Sequence, residues 1–246
     1  MILVIDVGNT LIKFAVYNGD KIVSEFSLET HSCNHENLKK SLSTLKIKPL
    51  GVVMSSVVPS VNSVIKETIK EMYQIDLMIA HVNSHKETII KLKDQKEIGI
   101  DLLAASEGVI SLNLFPAIIL DIGTAATFTV VTENKEFLGG VIIPGPVTSL
   151  KTLAHETAQL EMVKFQKPKN VLGKDTEEAL LSGSYYGFLG SITKIYQELI
   201  KEYKNYKLII TGGGAKDFLS AFPSHIYEPH LVMEGLLSLY KHNKTN

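Results

Sequence analysis

Two short stretches of this chain combine a carboxylate, a glycine and a hydroxyl at a spacing that suits a phosphate ester: Asp6-Val7-Gly8-Asn9-Thr10 and Asp121-Ile122-Gly123-Thr124. Asp6 ends the apolar run Ile2-Leu3-Val4-Ile5, so it stands at the end of a buried strand, where α/β sheets usually bind ligands. The glycine lets backbone N–H groups come close to a phosphate, and Thr10 adds a hydroxyl donor. Lys13 shares a strand face with Leu11 and Ala15 and offers a point positive charge. Alone, the stretch also reads as an ordinary hairpin turn, because Gly-Asn is a common turn pair. Asp121 repeats the pattern after Ala117-Ile118-Ile119-Leu120, and turn capping is its plain alternative. Two such turns in two copies of one fold aim both carboxylates at one ligand. That fits phosphoryl transfer, where positioning and cations do most of the work. One aspartate can hold magnesium or its water shell, and the other a second cation.

Asp101, in Gly99-Ile100-Asp101, opens a helix expected to run to about residue 112. An N-cap is the simple reading. A helix start also favours the ionised carboxylate, which keeps it ready as a base while weakening its basicity. Phosphoryl transfer tolerates a weak base because the attacking hydroxyl loses its proton late. Gly212-Gly213-Gly214 follows the strand Leu208-Ile209-Ile210 and precedes a helix predicted from Ala215. It can lay a phosphate against backbone, or it is simply a tight turn, since the full fingerprint is missing. His81 and His85 are four apart but flank loop-like Asn83-Ser84, so solvated surface outranks a metal site. Tyr185-Tyr186 reads as core and interface packing before it reads as a pocket wall.

The elements that must place these residues form an internal repeat. Strands are expected over 2–5, 11–17 and 21–28, with turns at Gly8-Asn9 and Asn18-Gly19-Asp20. Helical spacing follows over 34–45, a strand over 50–55, a helix over 61–72 and a strand over 75–80. The opening pattern then returns over 117–120, 127–131 and 137–143. A helix after Pro144-Gly145-Pro146, a lysine-rich loop over 164–174, a long helix over 176–203, a strand over 207–210 and a closing helix over 231–240 complete the chain. The expected fold is α/β, with two similar halves, 1–115 and 116–246, facing each other across a cleft.

With 45% hydrophobic residues the chain can bury a real core. The net charge of −1 does not suit a nucleic-acid surface, and no helix-turn-helix or basic stripe is visible. The single cysteine, Cys33, excludes a disulfide framework and fits a reducing cytosol. No signal peptide or membrane span is expected. All 25 basic residues are lysine.

Duplicated strand–Asp–Gly–strand halves resemble the superfamily of actin, sugar kinases and heat-shock ATPases. That resemblance implies ribonuclease-H-like (actin-like) halves, each a mixed five-stranded sheet flanked by helices. Within the superfamily, four blocks resemble type III pantothenate kinases. They are residues 6–10 with Lys13, Gly99-Ile100-Asp101, Asp121-Ile122-Gly123-Thr124-Ala125-Ala126-Thr127, and Gly139-Gly140-Val141-Ile142-Ile143-Pro144-Gly145. Ser182-Gly183-Ser184-Tyr185-Tyr186-Gly187 and Thr211-Gly212-Gly213 agree as well. The resemblance implies that Asp6, Gly8, Asn9, Thr10 and Lys13 hold the ATP phosphates, with Thr124, Gly212 and Gly213 as further ATP contacts. It implies that Asp101 accepts the proton of the pantothenate hydroxyl, within a substrate segment of Gly99, Ile100, Asp101 and Leu102. Thr176 sits where the family has a pantothenate-binding threonine. Asp121 would bind a monovalent cation, K⁺ or NH₄⁺, and Asp6 is a candidate for the Mg²⁺ that accompanies ATP. A cytoplasmic homodimer, with the substrate pocket near the subunit interface, is implied too. Leu102 stands where the family has arginine, Ala126 where it has threonine, Asp175 where asparagine is usual, and Pro146 where leucine is common.

The leading expectation is therefore phosphorylation of pantothenate to 4′-phosphopantothenate, the first step of coenzyme A biosynthesis. The alternatives are a kinase of the same fold for another small hydroxyl substrate, and a catalytically degenerate nucleotide-binding regulator. Retained Asp6, Asp101, Asp121 and Thr176 favour the enzyme.

Overall fold

The computed structural model describes residues 1–84, 87–157 and 163–244, so His85 lies outside the described residues. The chain divides into two units. The first holds Met1–Leu114, Lys135–Phe137 and His230–Asn246, and the second Phe115–Asn134 and Leu138–Pro229.

In the first unit, Ile2-Leu3-Val4-Ile5 is apolar without alternation, as a strand covered on both faces must be. It forms the central strand β1 (Ile2–Val7). β2 (Leu11–Asn18) pairs antiparallel to β1, and β3 (Lys21–Glu29) antiparallel to β2. Exposed and half-buried residues alternate along β3, the period of an edge strand. Helix α1 (His35–Ser43) is capped by the Asn34 side chain, which accepts the Asn37 N–H. β4 (Gly51–Ser56) then returns parallel to β1, and α2 (Asn62–Tyr73) leads to β5 (Met78–Ile79). The sheet order is β3-β2-β1-β4-β5. β5 is shorter than expected because Ile75 and Leu77 pack against the core instead of pairing. A short strand that the pattern did not announce, β6 (Ile89–Ile90), precedes α3 (Ile100–Ser111).

The second unit repeats that topology. β7 (Ala117–Ile122) pairs antiparallel with β8 (Ala125–Val131), and β9 (Glu136–Pro144) follows. After α4 (Pro146–Glu156) and α5 (Thr176–Glu202), β10 (Lys207–Thr211) returns parallel to β7, and β11 (His225–Tyr227) closes the edge. The order β9-β8-β7-β10-β11 matches that of the first sheet strand for strand, but this sheet has six strands rather than the expected five, because β6 adds parallel to β9. The helix expected at Ala215 is instead two 3₁₀ turns, Ala215–Asp217 and Leu219–Ala221. β11 went unread because it has only three residues.

Helix α6 (Leu231–Lys244) was expected with the second half, yet it belongs to the first unit. The cause is a glycine contact with α3. A Cβ on Gly235 would lie 1.7 Å from the Ala104 carbonyl oxygen, and one on Gly108 would lie 2.2 Å from that of Leu231. The two backbones therefore touch where neither carries a side chain. Met233, Leu236, Leu237 and Tyr240 then pack with Val4, Tyr17 and Val53 of the first sheet. This contact covers α3 and fixes where its first turn, with Asp101, comes to rest.

Candidate active site

In the first unit, the register sets Asp6 of β1 opposite Lys13 on β2 and Ser55 on β4. The Ser55 hydroxyl donates to Asp6 Oδ1 at 2.9 Å. Burial pushes the Asp6 carboxyl above its ordinary range. The Ser55 hydrogen bond and the Lys13 charge pull it back, and the charge of Asp101 pushes it up again. Two carboxylates and an ammonium thus share one neighbourhood. Beyond Asp6 the chain turns tightly. The Gly8 N–H donates to the Leu11 carbonyl at 3.0 Å, and the Thr30 hydroxyl donates to the Gly8 carbonyl at 2.7 Å. Asn9 and Thr10 stand exposed at the tip.

Asp101 is not the N-cap of α3. Gly99 is, and Asp101 lies in the first turn. Its Oδ1 accepts the N–H of Leu102 at 3.0 Å and sits 2.5 Å from where a Cβ on Gly99 would be. Leu102 Cγ is 3.7 Å from that same point. Only glycine at 99 leaves room for the carboxylate in this position. Leu102 itself is half-buried and packs against Ile90, Ile98, Leu103 and Phe137.

The second unit builds the matching turn. Asp121 of β7 lies opposite Thr127 on β8 and Thr211 on β10. Gly212 has φ +94°, and a Cβ there would lie 2.3 Å from Asp121 Oδ1. The Gly214 N–H donates to the Ile122 carbonyl at 2.8 Å, and the Gly145 N–H to the Thr124 carbonyl at 2.9 Å. The Thr148 hydroxyl also donates to the Thr124 carbonyl, at 2.6 Å. Asp121, the exposed Gly123-Thr124 turn and the glycine loop therefore form one assembly, with Gly213 exposed beside it.

Thr176 lies elsewhere in this unit. It opens α5 after Asp175, whose carboxylate accepts the Glu178 N–H at 2.8 Å while Glu178 accepts the Lys174 N–H at 2.9 Å. Aspartate serves at 175 because its carboxylate is a good N-cap. Thr176 lines a cavity of about 800 Å³ between α4 and α5, with Ser149, Leu153, Leu180, Gly183 and Ser184. The sequence reading missed Ser55 and Thr148. Ser55 had a signal, since it ends the apolar run of β4 as Asp6 ends that of β1.

A metal here would meet oxygen donors. Among the described residues, no three His, Cys, Asp or Glu side chains gather into a metal-holding group. The Asp6 carboxylate is an oxygen donor of the kind Mg²⁺ takes, since that ion commonly rests on one or two carboxylates and completes its shell with water and nucleotide phosphates.

Comparison with known proteins is consistent with this geometry. A family model described as type III pantothenate kinase matches residues 2–198. A type III pantothenate kinase of Dictyoglomus turgidum is 35% identical over 255 residues, covering 99% of this chain and 100% of that one. One from Halalkalibacterium halodurans is 32% identical over 253 residues, with 99% and 100% covered. Among solved structures, a Campylobacter jejuni protein named as a conserved candidate Baf family transcriptional activator superposes with TM-score 0.58 at 22% identity, over 99% of this chain and 100% of that one. MreB5 of Spiroplasma citri bound to ADP gives 0.51 at 13% identity, over 100% and 97%. At these identities the structural likenesses speak for the fold alone, which is the actin-like one. Among the described residues, no helix is long and apolar enough to cross a membrane.

Proposed function

The chain belongs to the type III pantothenate kinase family and transfers a phosphoryl group from ATP to pantothenate; from that premise we propose how its own residues divide the work. The meeting of Asp6, Lys13 and Asp101 in one unit carries this reading. Lys13 and the backbone of the Gly8–Thr10 turn hold the nucleotide phosphates. Asp6, oriented by the Ser55 hydroxyl, would hold the Mg²⁺ that accompanies ATP. When bound, that ion neutralises charge that builds on the phosphates. Asp101 accepts the proton of the 4′-hydroxyl of pantothenate. Gly99 and Ile100 set the backbone of this segment, and Leu102 presents an apolar side chain beside the carboxylate. Thr124, with Gly212 and Gly213, contacts ATP, and Thr176 contacts the substrate in the α4–α5 cavity.

Asp121 takes a monovalent cation. The support is the register. Opposite Asp6 stands the ammonium of Lys13, and opposite Asp121 stands neutral Thr127. A free K⁺ or NH₄⁺ supplies in the second turn the charge that the first turn has tethered.

The enzyme works as a homodimer through the α4–α5 face. On α5, a Cβ at Gly183, Gly187 or Gly190 would meet nothing within 4 Å among the described residues, and Tyr186, Leu153, Val171 and Leu172 are exposed in the same unit. Glycines with open space above them allow a second helix to approach closely. We place the enzyme in the cytoplasm, at the entry to coenzyme A biosynthesis, where ATP and potassium are both plentiful.

Purified protein given ATP, Mg²⁺, K⁺ and pantothenate should yield 4′-phosphopantothenate and ADP in equal amounts by mass spectrometry. ADP release that needs a different alcohol would transfer the reading to another acceptor.

A further inference from the structure

We propose that Glu107 is a positioning residue for phosphoryl acceptor binding: it fixes β6 against α3, and so sets the wall that faces the segment of Asp101 and Leu102. This rests on the reading of Asp101 and Leu102 as the acceptor segment. Among the described residues, Glu107 is the one fully buried carboxylate. It lies in the middle of α3, surrounded by Leu103, Ala104, Val109 and Ile110, all buried. Its Oε1 accepts two hydrogen bonds from a single residue, the Thr88 N–H at 3.1 Å and the Thr88 hydroxyl at 2.7 Å. Thr88 is itself buried, and Oε2 has no hydrogen-bond partner among the described residues.

For packing alone this is a poor choice. A carboxylate with one oxygen unsatisfied in the interior weakens a fold, and an apolar side chain of similar volume would usually serve stability better. What the carboxylate does provide is direction. Both donors of Thr88 are gathered on one oxygen, and the next two residues, Ile89 and Ile90, are β6. That strand is held on its other side by Glu136–Phe137 of β9, through the Ile89 N–H to the Lys135 carbonyl and the Lys91 N–H to the Phe137 carbonyl, each at 2.9 Å. Ile90 and Phe137 form the cluster on which Leu92, Ile100 and Leu102 pack. Two anchors therefore hold β6, one of them the same helix that carries Asp101 in its first turn. If the Glu107 anchor goes, β6 stays paired to β9 while only the apolar packing of Ile90 with Leu103, Ile100 and Leu102 sets its distance from α3. The surface beside Asp101 and Leu102 then loosens.

The test compares Glu107→Leu, Thr88→Val, Glu107→Gln and Thr88→Ser in steady-state kinetics, with thermal unfolding of each. Glu107→Leu and Thr88→Val should raise KM for pantothenate about tenfold, leave KM for ATP within about twofold, and leave kcat nearly unchanged. Thr88→Val removes only the hydroxyl, so it should give the smaller rise. Glu107→Gln and Thr88→Ser keep the acceptor and the hydroxyl, and should restore the wild-type KM. Glu107→Leu should unfold no earlier than wild type. If the leucine and valine variants keep the wild-type KM for pantothenate, or if both substrates weaken together with a fall in Tm, Glu107 is only part of the scaffold. If Glu107→Leu does not fold, Thr88→Val decides alone by the same criterion. Wild type that turns over no pantothenate would instead overturn the acceptor assignment, a result read before any variant is made.

Discussion

The Asp6 turn and the Asp121 turn are one design built twice, and they differ in the charges placed around the shared carboxylate. Each aspartate ends the central strand of its sheet. Each has a hydroxyl residue opposite it on the parallel neighbour, Ser55 in one case and Thr211 in the other. On the antiparallel neighbour the pair diverges, with Lys13 in the first turn and Thr127 in the second. The first turn also has a second carboxylate within electrostatic reach, Asp101, carried by a helix packed in the same unit. A duplicated scaffold has thus kept its strand topology and changed the side chains around its carboxylate. On the proposed reading, the first turn serves phosphate and proton, and the second a cation from solution.

The largest effect should come from the carboxylate that only the first half possesses. Asp101→Asn should keep the fold and ATP binding while lowering kcat ~10²–10⁴-fold, the usual worth of a general base. Near-normal turnover would leave Asp101 as a helix first-turn residue and nothing more. Next comes Lys13→Thr, which gives the first turn the residue of the second. It should lower kcat/KM for ATP about 10²-fold, as loss of a charge aimed at the transferring group does. The converse change, Thr127→Lys, sharpens the comparison from the other side. A tethered ammonium opposite Asp121 should replace the free cation, so that a potassium stimulation of about tenfold in wild type shrinks to little or none. Continued potassium dependence in this variant would place the cation away from Asp121.

Smaller effects concern the immediate neighbours. Leu102→Arg should lower KM for pantothenate about tenfold, because a guanidinium offers the planar donors that lysine elsewhere cannot reproduce. Its aliphatic stem can stay on the Ile90–Phe137 cluster while the head reaches out. An unchanged KM would mean that position 102 serves packing only. The smallest effect is on stability. Burial first, and then Asp101, hold the Asp6 carboxyl above 3.8 in the folded protein. The folded state therefore binds that proton more tightly than the unfolded chain. This contribution to stability is present below the unfolded value and is lost as pH rises through the folded one. Asp6→Asn titrates nothing, so its Tm should gain on that of wild type between about pH 4 and neutrality, even as activity is lost. An equal offset at both pH values would contradict the raised carboxyl.

Much of this was legible in the sequence because it lies in local pattern. The run Ile2-Leu3-Val4-Ile5 before Asp6, and its echo before Asp121, announced both central strands and the repeat. The turns at Gly8 and Gly123 carry their own chemistry in residue type. What stayed hidden depends on contacts between distant positions. The pairing of α6 with α3 rests on Gly108 and Gly235, whose meaning appears only once two helices touch. β6 is two residues long, too short to show a period. Ser55 and Glu107 gain their roles from partners at 6 and 88, which no window along the chain brings together. Asp101 looked like a cap in the sequence, and the structure gives that place to Gly99 because the helix begins two residues earlier.

The division between a tethered and a free cation is tested most directly by one measurement. The rate of ADP release with saturating ATP, Mg²⁺ and pantothenate is followed while potassium is exchanged for sodium at constant ionic strength. The account predicts a fall of about tenfold as the larger ion is withdrawn, with ammonium restoring the rate. A rate that stays the same in potassium, in sodium and with neither present would contradict it, and the second turn would then be only a structural echo of the first.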